Sequence, residues 1–142
     1  VAVTASWRPE NPLEFWNIFD GERIGHVEWN QSLLGTSPCL LYSTKFSKTR
    51  NSDGTPRFLA AGGSGSNEAR VYEVSSGFNT KLVGTVAGLS RGVFTIDWSP
   101  ASNSVAIGSG DGTIRILEID VNDDEQSEEK LADGPFDTKS DE

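Results

Sequence analysis

The stretch Phe58-Leu59-Ala60-Ala61-Gly62-Gly63-Ser64-Gly65-Ser66-Asn67-Glu68-Ala69-Arg70-Val71-Tyr72-Glu73-Val74 decides the fold. Its first six residues are small or apolar without a break, the composition of a strand covered on both faces. Its last six alternate with a period of two, as a half-buried strand does. The Gly/Ser run between them is a turn signal, so the segment reads as two successive strands. Working outward, the same pair returns as Ser104-Val105-Ala106-Ile107-Gly108-Ser109 and Ile114-Arg115-Ile116-Leu117-Glu118-Ile119. A third copy opens the chain as Val1 to Trp7 and Leu13-Glu14-Phe15-Trp16-Asn17-Ile18. The alternating segments start at Leu13, Ala69 and Ile114, intervals of 56 and 45 residues. Those intervals suit multi-strand units rather than a helical array.

Two further strand types complete the unit. Leu41-Tyr42-Ser43-Thr44-Lys45-Phe46-Ser47 matches Val93-Phe94-Thr95-Ile96-Asp97-Trp98-Ser99 position by position, each closing on an aromatic residue and a serine. Glu22-Arg23-Ile24-Gly25-His26-Val27-Glu28-Trp29 and Lys81-Leu82-Val83-Gly84-Thr85-Val86 each hold a glycine among β-branched residues. Lettered a, b, c and d by order within the unit, the strands predict an all-β chain running b-c-d, a-b-c-d, a-b-c.

The close Trp98-Ser99-Pro100, the turn Gly108 to Thr113 and the alternating c strands resemble the WD40 repeat family of β-propellers. The resemblance covers residues 1 to about 120 and implies antiparallel four-stranded blades, about two and a half to three of them. The signature dipeptides differ: Trp-Asp is replaced by Trp16-Asn17, Tyr72-Glu73 and Leu117-Glu118, and Gly-His before strand a by Gly88-Leu89. In the family, Asp, His, Ser/Thr and Trp side chains tie the strands of a blade together. Here the matching positions in the last unit are Asp111, Leu89, Thr95 and Leu117, and the Asp position of the middle unit falls at Ser66, beside Asn67. Asp111 is therefore expected to bond to N–H groups of its own turn or stay in water, because an unpaired buried carboxylate is costly. His26 lies on a d strand, about 11 residues too early for the family's histidine, and does not take over that role.

A propeller closes 4 to 8 blades. With no methionine, a strand already under way at Val1 and three b strands, the chain is expected to be the C-terminal part of a longer protein that supplies the remaining blades. Residues 121–142 carry nine carboxylates against Lys130 and Lys139, with Leu131 and Phe136 the sizeable apolar residues after Val121, and are expected to be a disordered acidic tail. Ser127, Thr138 and Ser140 sit there as candidate sites for an acid-directed kinase.

The formal charge of -9 and the lack of a basic patch argue against direct nucleic-acid binding. Apolar runs stop at four residues, as in Cys39-Leu40-Leu41-Tyr42, which argues against a membrane helix. One cysteine, Cys39, and one histidine, His26, exclude a disulfide framework and a Cys/His zinc site within the chain. An intracellular, cytoplasmic or nuclear setting is expected. The glycine clusters lack the Lys-Ser/Thr and helix start that a phosphate loop needs. No catalytic residue, cofactor or metal ligand is expected, and Cys39 reads as a packed thiol.

The resemblance leaves function to the loops. The d–a and b–c loops of the family open on one face that commonly holds peptides or partner proteins, and this face maps to Ser64, Ser66, Asn67, Ser90, Arg91 and Asp111. The d–a loop Asn30 to Leu40 carries Leu33, Leu34 and Pro38, and the a–b loop Thr49 to Arg57 belongs to the opposite face. The expected function is a non-enzymatic protein-interaction scaffold. The alternative is the propeller portion of a larger protein with an enzymatic or regulatory domain upstream.

Overall fold

The computed structural model describes residues 1–29 and 37–120; the loop expected at Asn30 to Leu40 lies largely outside them, and the acidic tail wholly so. Among the described residues ten strands form: β1 (Ala2–Ala5), β2 (Leu13–Trp16), β3 (Arg23–His26), β4 (Leu40–Phe46), β5 (Phe58–Ser64), β6 (Ala69–Ser75), β7 (Asn79–Val86), β8 (Val93–Trp98), β9 (Ser104–Ser109) and β10 (Ile114–Glu118). They pair antiparallel into three sheets, β1-β2-β3, β4-β5-β6-β7 and β8-β9-β10, here sheets I, II and III. Each strand falls within a residue or two of the stretch expected for it, except that β1, β2 and β3 are shorter. No sheet closes on itself.

Sheet II is the middle layer. Along β5, Leu59 and Ala61 face sheet I, meeting Leu13, Phe15, Val27 and Trp29. Phe58 and Ala60 face the other way, toward Val93, Ile96, Trp98, Val105 and Ile107 of sheet III. Small residues on β5 let the neighbours close in. A Cβ at Gly63 would stand 1.9 Å from Leu40 O, and one at Gly62 would stand 2.8 Å from Val93 Cγ1. The unbroken small-apolar run is thus the signature of a strand with no solvent face. Sheets II and III come closest between β4 and β8 and part toward β7 and β10, so the layers splay like a wedge.

The aromatic-serine close of β4 and β8 has a double role. Phe46 stacks on Phe15 of sheet I with ring centroids 6.0 Å apart, and Trp98 stacks on Phe58 of sheet II at 5.8 Å. Trp98 Nε1 also donates to Lys45 O at 3.0 Å, crossing between sheets. The serines then cap the next strand. Ser47 Oγ accepts the Phe58 N–H at 2.8 Å, and Ser99 Oγ accepts the Ser104 N–H at 3.1 Å. Phe58 N–H is buried, so losing its acceptor carries a desolvation cost of about 1–3 kcal/mol. Ser47→Ala is expected to lower unfolding free energy by about 2 kcal/mol in urea titration, and Ser99→Ala, at a more open site, by less than half of that.

Candidate functional site

Antiparallel pairing sends the β5–β6 and β9–β10 turns and the β7–β8 loop to one end of the sheets. Five of the six expected residues meet there or border it. Gly92 packs against Ser64, where an added Cβ would lie 2.7 Å from Ser64 Cβ. Ser109 Oγ donates to Arg91 O at 3.0 Å and Gly110 N–H to Gly92 O at 2.9 Å, tying the β9–β10 turn to the β7–β8 loop. Ser90 Oγ reaches Asp111 Oδ2 at 3.4 Å. Asn67 holds the β5–β6 turn with φ 50. Ser66 does not join the rim, because its hydroxyl is buried beside the Cys39 thiol.

Asp111 behaves as its turn requires. Oδ1 accepts from Thr113 Oγ1 at 2.6 Å and from Thr113 N at 2.9 Å. Those two bonds, the hydroxyl's first, hold the Asp111 carboxyl below the usual aspartate range. Asp53-Gly54-Thr55 repeats the arrangement in the β4–β5 loop, with Thr55 Oγ1 at 2.6 Å and Thr55 N at 2.9 Å from Asp53 Oδ1. Both are Asx turns built by the same Asp-Gly-Thr triplet.

The feature that sequence reading missed is aromatic. β4 pairs with β5 through a register shift between Leu41 and Ser43, and β8 pairs with β9 through one between Val93 and Thr95. The extra residue is Tyr42 in one strand and Phe94 in the other, matched positions of the a strands. A bulge re-aims the residue it inserts, and here both rings turn outward, 48% and 54% exposed. Trp7, 64% exposed, follows β1 where Ser6 O accepts the Leu41 N–H. Trp7 and Tyr42 lie 6.2 Å apart by ring centroids, and Tyr42 and Phe94 5.1 Å. One aromatic ring from each sheet thus forms a row along the rim. The sequence signal was present in the Leu41/Val93 alignment, but periodicity alone assigns Tyr42 and Phe94 to a face without revealing the bulge.

Behind the rim lies a buried polar cluster. Arg70 Nη2 pairs with Glu68 Oε1 at 2.6 Å, and the two side chains are 4% and 0% exposed. The guanidinium lies over the Trp29 ring, 4.4 Å from its centroid, and Trp29 meets Tyr72 at 6.1 Å. Burial pushes the Tyr72 hydroxyl and the Cys39 thiol above their ordinary values. Cys39 Sγ is 3.9 Å from Glu68 O, while His26 Nε2 is 3.1 Å from Glu28 Oε1 on the exposed side of sheet I. Thiol and imidazole therefore sit in separate environments with separate partners, and a thiol raised by burial is a poor nucleophile.

No protein-family model matches the chain, and no curated protein matches it.

Glu68→Ala removes the carboxylate from a buried guanidinium and is expected to cost about 3 kcal/mol or more of stability by denaturant unfolding. Asp111 is expected to titrate below an ordinary aspartate by side-chain carboxyl NMR, and Thr113→Val to raise its midpoint. Since the folded value is the lower one, this stabilisation is complete above the unfolded aspartate pKa and is lost as pH falls through the folded pKa.

Proposed function

We propose that this chain is a non-enzymatic binding module, built as consecutive blades of a WD40-like propeller, whose rim holds peptides or partner proteins. The exposed row of Trp7, Tyr42 and Phe94 carries the reading. Aromatic rings left open to water beside turn hydroxyls and the exposed Arg91 have the composition of interaction hot spots. Ser64, Asn67, Ser90 and Asp111 supply a polar margin to the same rim, while the Ser66 hydroxyl is buried beside Cys39.

The propeller reading is supported by repetition at the level of contacts. Sheets II and III share the serine cap, the bulge and the strand order. Their closest approach is between β4 and β8, the inner strands of the blades in this reading. Further blades from elsewhere in the same polypeptide would cover the outer face of sheet III, where Ile114 and Ile116 are 73% and 62% exposed. A fourth strand would pair with β10. Its counterparts β2 and β6 each carry one, with Gly25 opposite Phe15 and Gly84 opposite Val71. An intracellular setting, cytoplasmic or nuclear, fits the lone buried thiol of Cys39. No helix among the described residues is long and apolar enough to cross a membrane.

Selection of a displayed random-peptide library on the purified protein tests the function. Enriched peptides are expected to bind the Tyr42→Ser and Phe94→Ser variants at least tenfold more weakly, about 1.4 kcal/mol per ring. Selected peptides that bind both variants unchanged would show that the rim is not the binding surface.

A further inference from the structure

The row of Trp7, Tyr42 and Phe94 has a geometry that selects among peptides. Tyr42 and Phe94 meet edge to face at 62°, and Trp7 tilts 38° from Tyr42. Rings in contact leave no gap between them, so the row is a ridged platform and not a cage set around a common centre, as a methylated ammonium group needs. Its polar atoms supply donors. Trp7 Nε1–H and Tyr42 Oη–H belong to exposed side chains, and neither makes a hydrogen bond among the described residues.

The Phe94 end of the row carries a cation. Gly110 sits between that ring and Arg91: a Cβ there would lie 2.6 Å from Phe94 Cε2 and 3.4 Å from Arg91 Cβ. The Arg91 carbonyl accepts from Ser109 Oγ, and the next carbonyl, Gly92 O, accepts the Gly110 N–H, so the backbone under Arg91 is fixed. Its guanidinium makes no hydrogen bond or ion pair among the described residues. Other charged groups at this end are engaged: Arg8 holds Glu14, His26 faces Glu28, Arg70 and Glu68 pair in the interior, and Asp111 closes on Thr113. Glu10 belongs to the β1–β2 turn that carries Trp7.

We propose that the peptides held by this rim are proline-rich segments in the polyproline II conformation, with acidic residues flanking them at the Phe94 end. This rests on the reading of the rim as a peptide-binding surface and adds the class of peptide. A polyproline II helix makes no internal hydrogen bonds, so its carbonyls stay open to donors such as Trp7 Nε1–H and Tyr42 Oη–H. With three residues per turn, two of its three edges lie on a surface, and contacting residues fall about 3 and 6 Å apart along the axis. Rings 5.1 and 6.2 Å apart match that grain. Rows of aromatic residues recognise such helices because the ligand arrives with little chain entropy left to lose. Arg91 favours a carboxylate beside the last ring and repels a cation there.

Isothermal titration calorimetry of the full chain with defined peptides tests this. The probes are an end-capped proline homopeptide of about ten residues, the same peptide flanked by glutamates or by lysines, and a Gly/Ser peptide of equal length. The homopeptide is expected to bind at least tenfold more tightly than the Gly/Ser peptide, and Tyr42→Phe, which keeps the ring and loses the hydroxyl, to weaken it several-fold. The glutamate-flanked peptide should bind several-fold more tightly than the lysine-flanked one, and Arg91→Ala should erase that difference. A homopeptide that binds no better than Gly/Ser, or a lysine flank preferred over a glutamate flank, would overturn the proposal. Peptides from the displayed library separate the two levels. If those lose binding in Tyr42→Ser and Phe94→Ser while proline peptides fail, the rim remains a binding surface and the class of peptide is wrong. If neither kind binds, both readings fall.

Discussion

The burial of β5 on both faces is the constraint on which the other contacts depend. Phe58, Leu59, Ala60 and Ala61 are each 4% exposed or less, and after Phe58 and Leu59 the strand holds only alanine, glycine and serine. Two sheets can approach one strand this closely only if its own side chains are small. Gly62 and Gly63 take this to the limit, since the room a Cβ would need is occupied by Val93 on one side and the Leu40 carbonyl on the other. Leu13 and Phe15 of sheet I and Val93, Ile96, Trp98, Val105 and Ile107 of sheet III are buried against the layer that β5 organises.

A layered stack of antiparallel strands has two distinct ends, and the two differ here in chemistry. At one end, turns are held by hydroxyl and carboxylate bonds, and the bulges of β4 and β8 project aromatic rings into water. Exposed rings of this size forfeit hydrophobic stabilisation and stand out on a surface otherwise covered by polar turns. At the other end, serines cap the incoming b strands, Lys45 and Lys48 share the Asp97 carboxylate, and Thr55 and Ser76 hold Asp53. The outer faces differ as well. Sheet I covers Glu14 with Arg8 and Arg23 and ties Trp16 to Thr4, whereas sheet III exposes Ile114 and Ile116.

Between sheets I and II, the polar residues of β6 find a buried solution. Arg70 shares its face of the strand with Tyr72 and Val74, which would place a charge in the core were it not paired with Glu68 and laid over Trp29. Charge pairing and the ring's electron-rich face together replace part of the lost hydration. Ser66 and Cys39 lie alongside. This polar group is assembled from the β5–β6 turn, β6 and the end of the segment after β3, whereas Asp111 in sheet III closes on its own turn.

Periodicity and turn residues alone determined the ten strands of the described residues and their grouping, because these depend on neighbours in sequence. The pairing of the aromatic-serine closes was equally open to reading from matched positions. Only the tertiary structure decided which face each alternating residue took. Arg70 reads as a solvent-facing position and is buried, because sheet I covers the face that a lone strand would leave to water. Tyr42 and Phe94 read as strand positions like any other and emerge on the rim, because bulges shift their register against β5 and β9. Burial and bulges arise from partners distant in sequence, and no local pattern encodes which partner arrives.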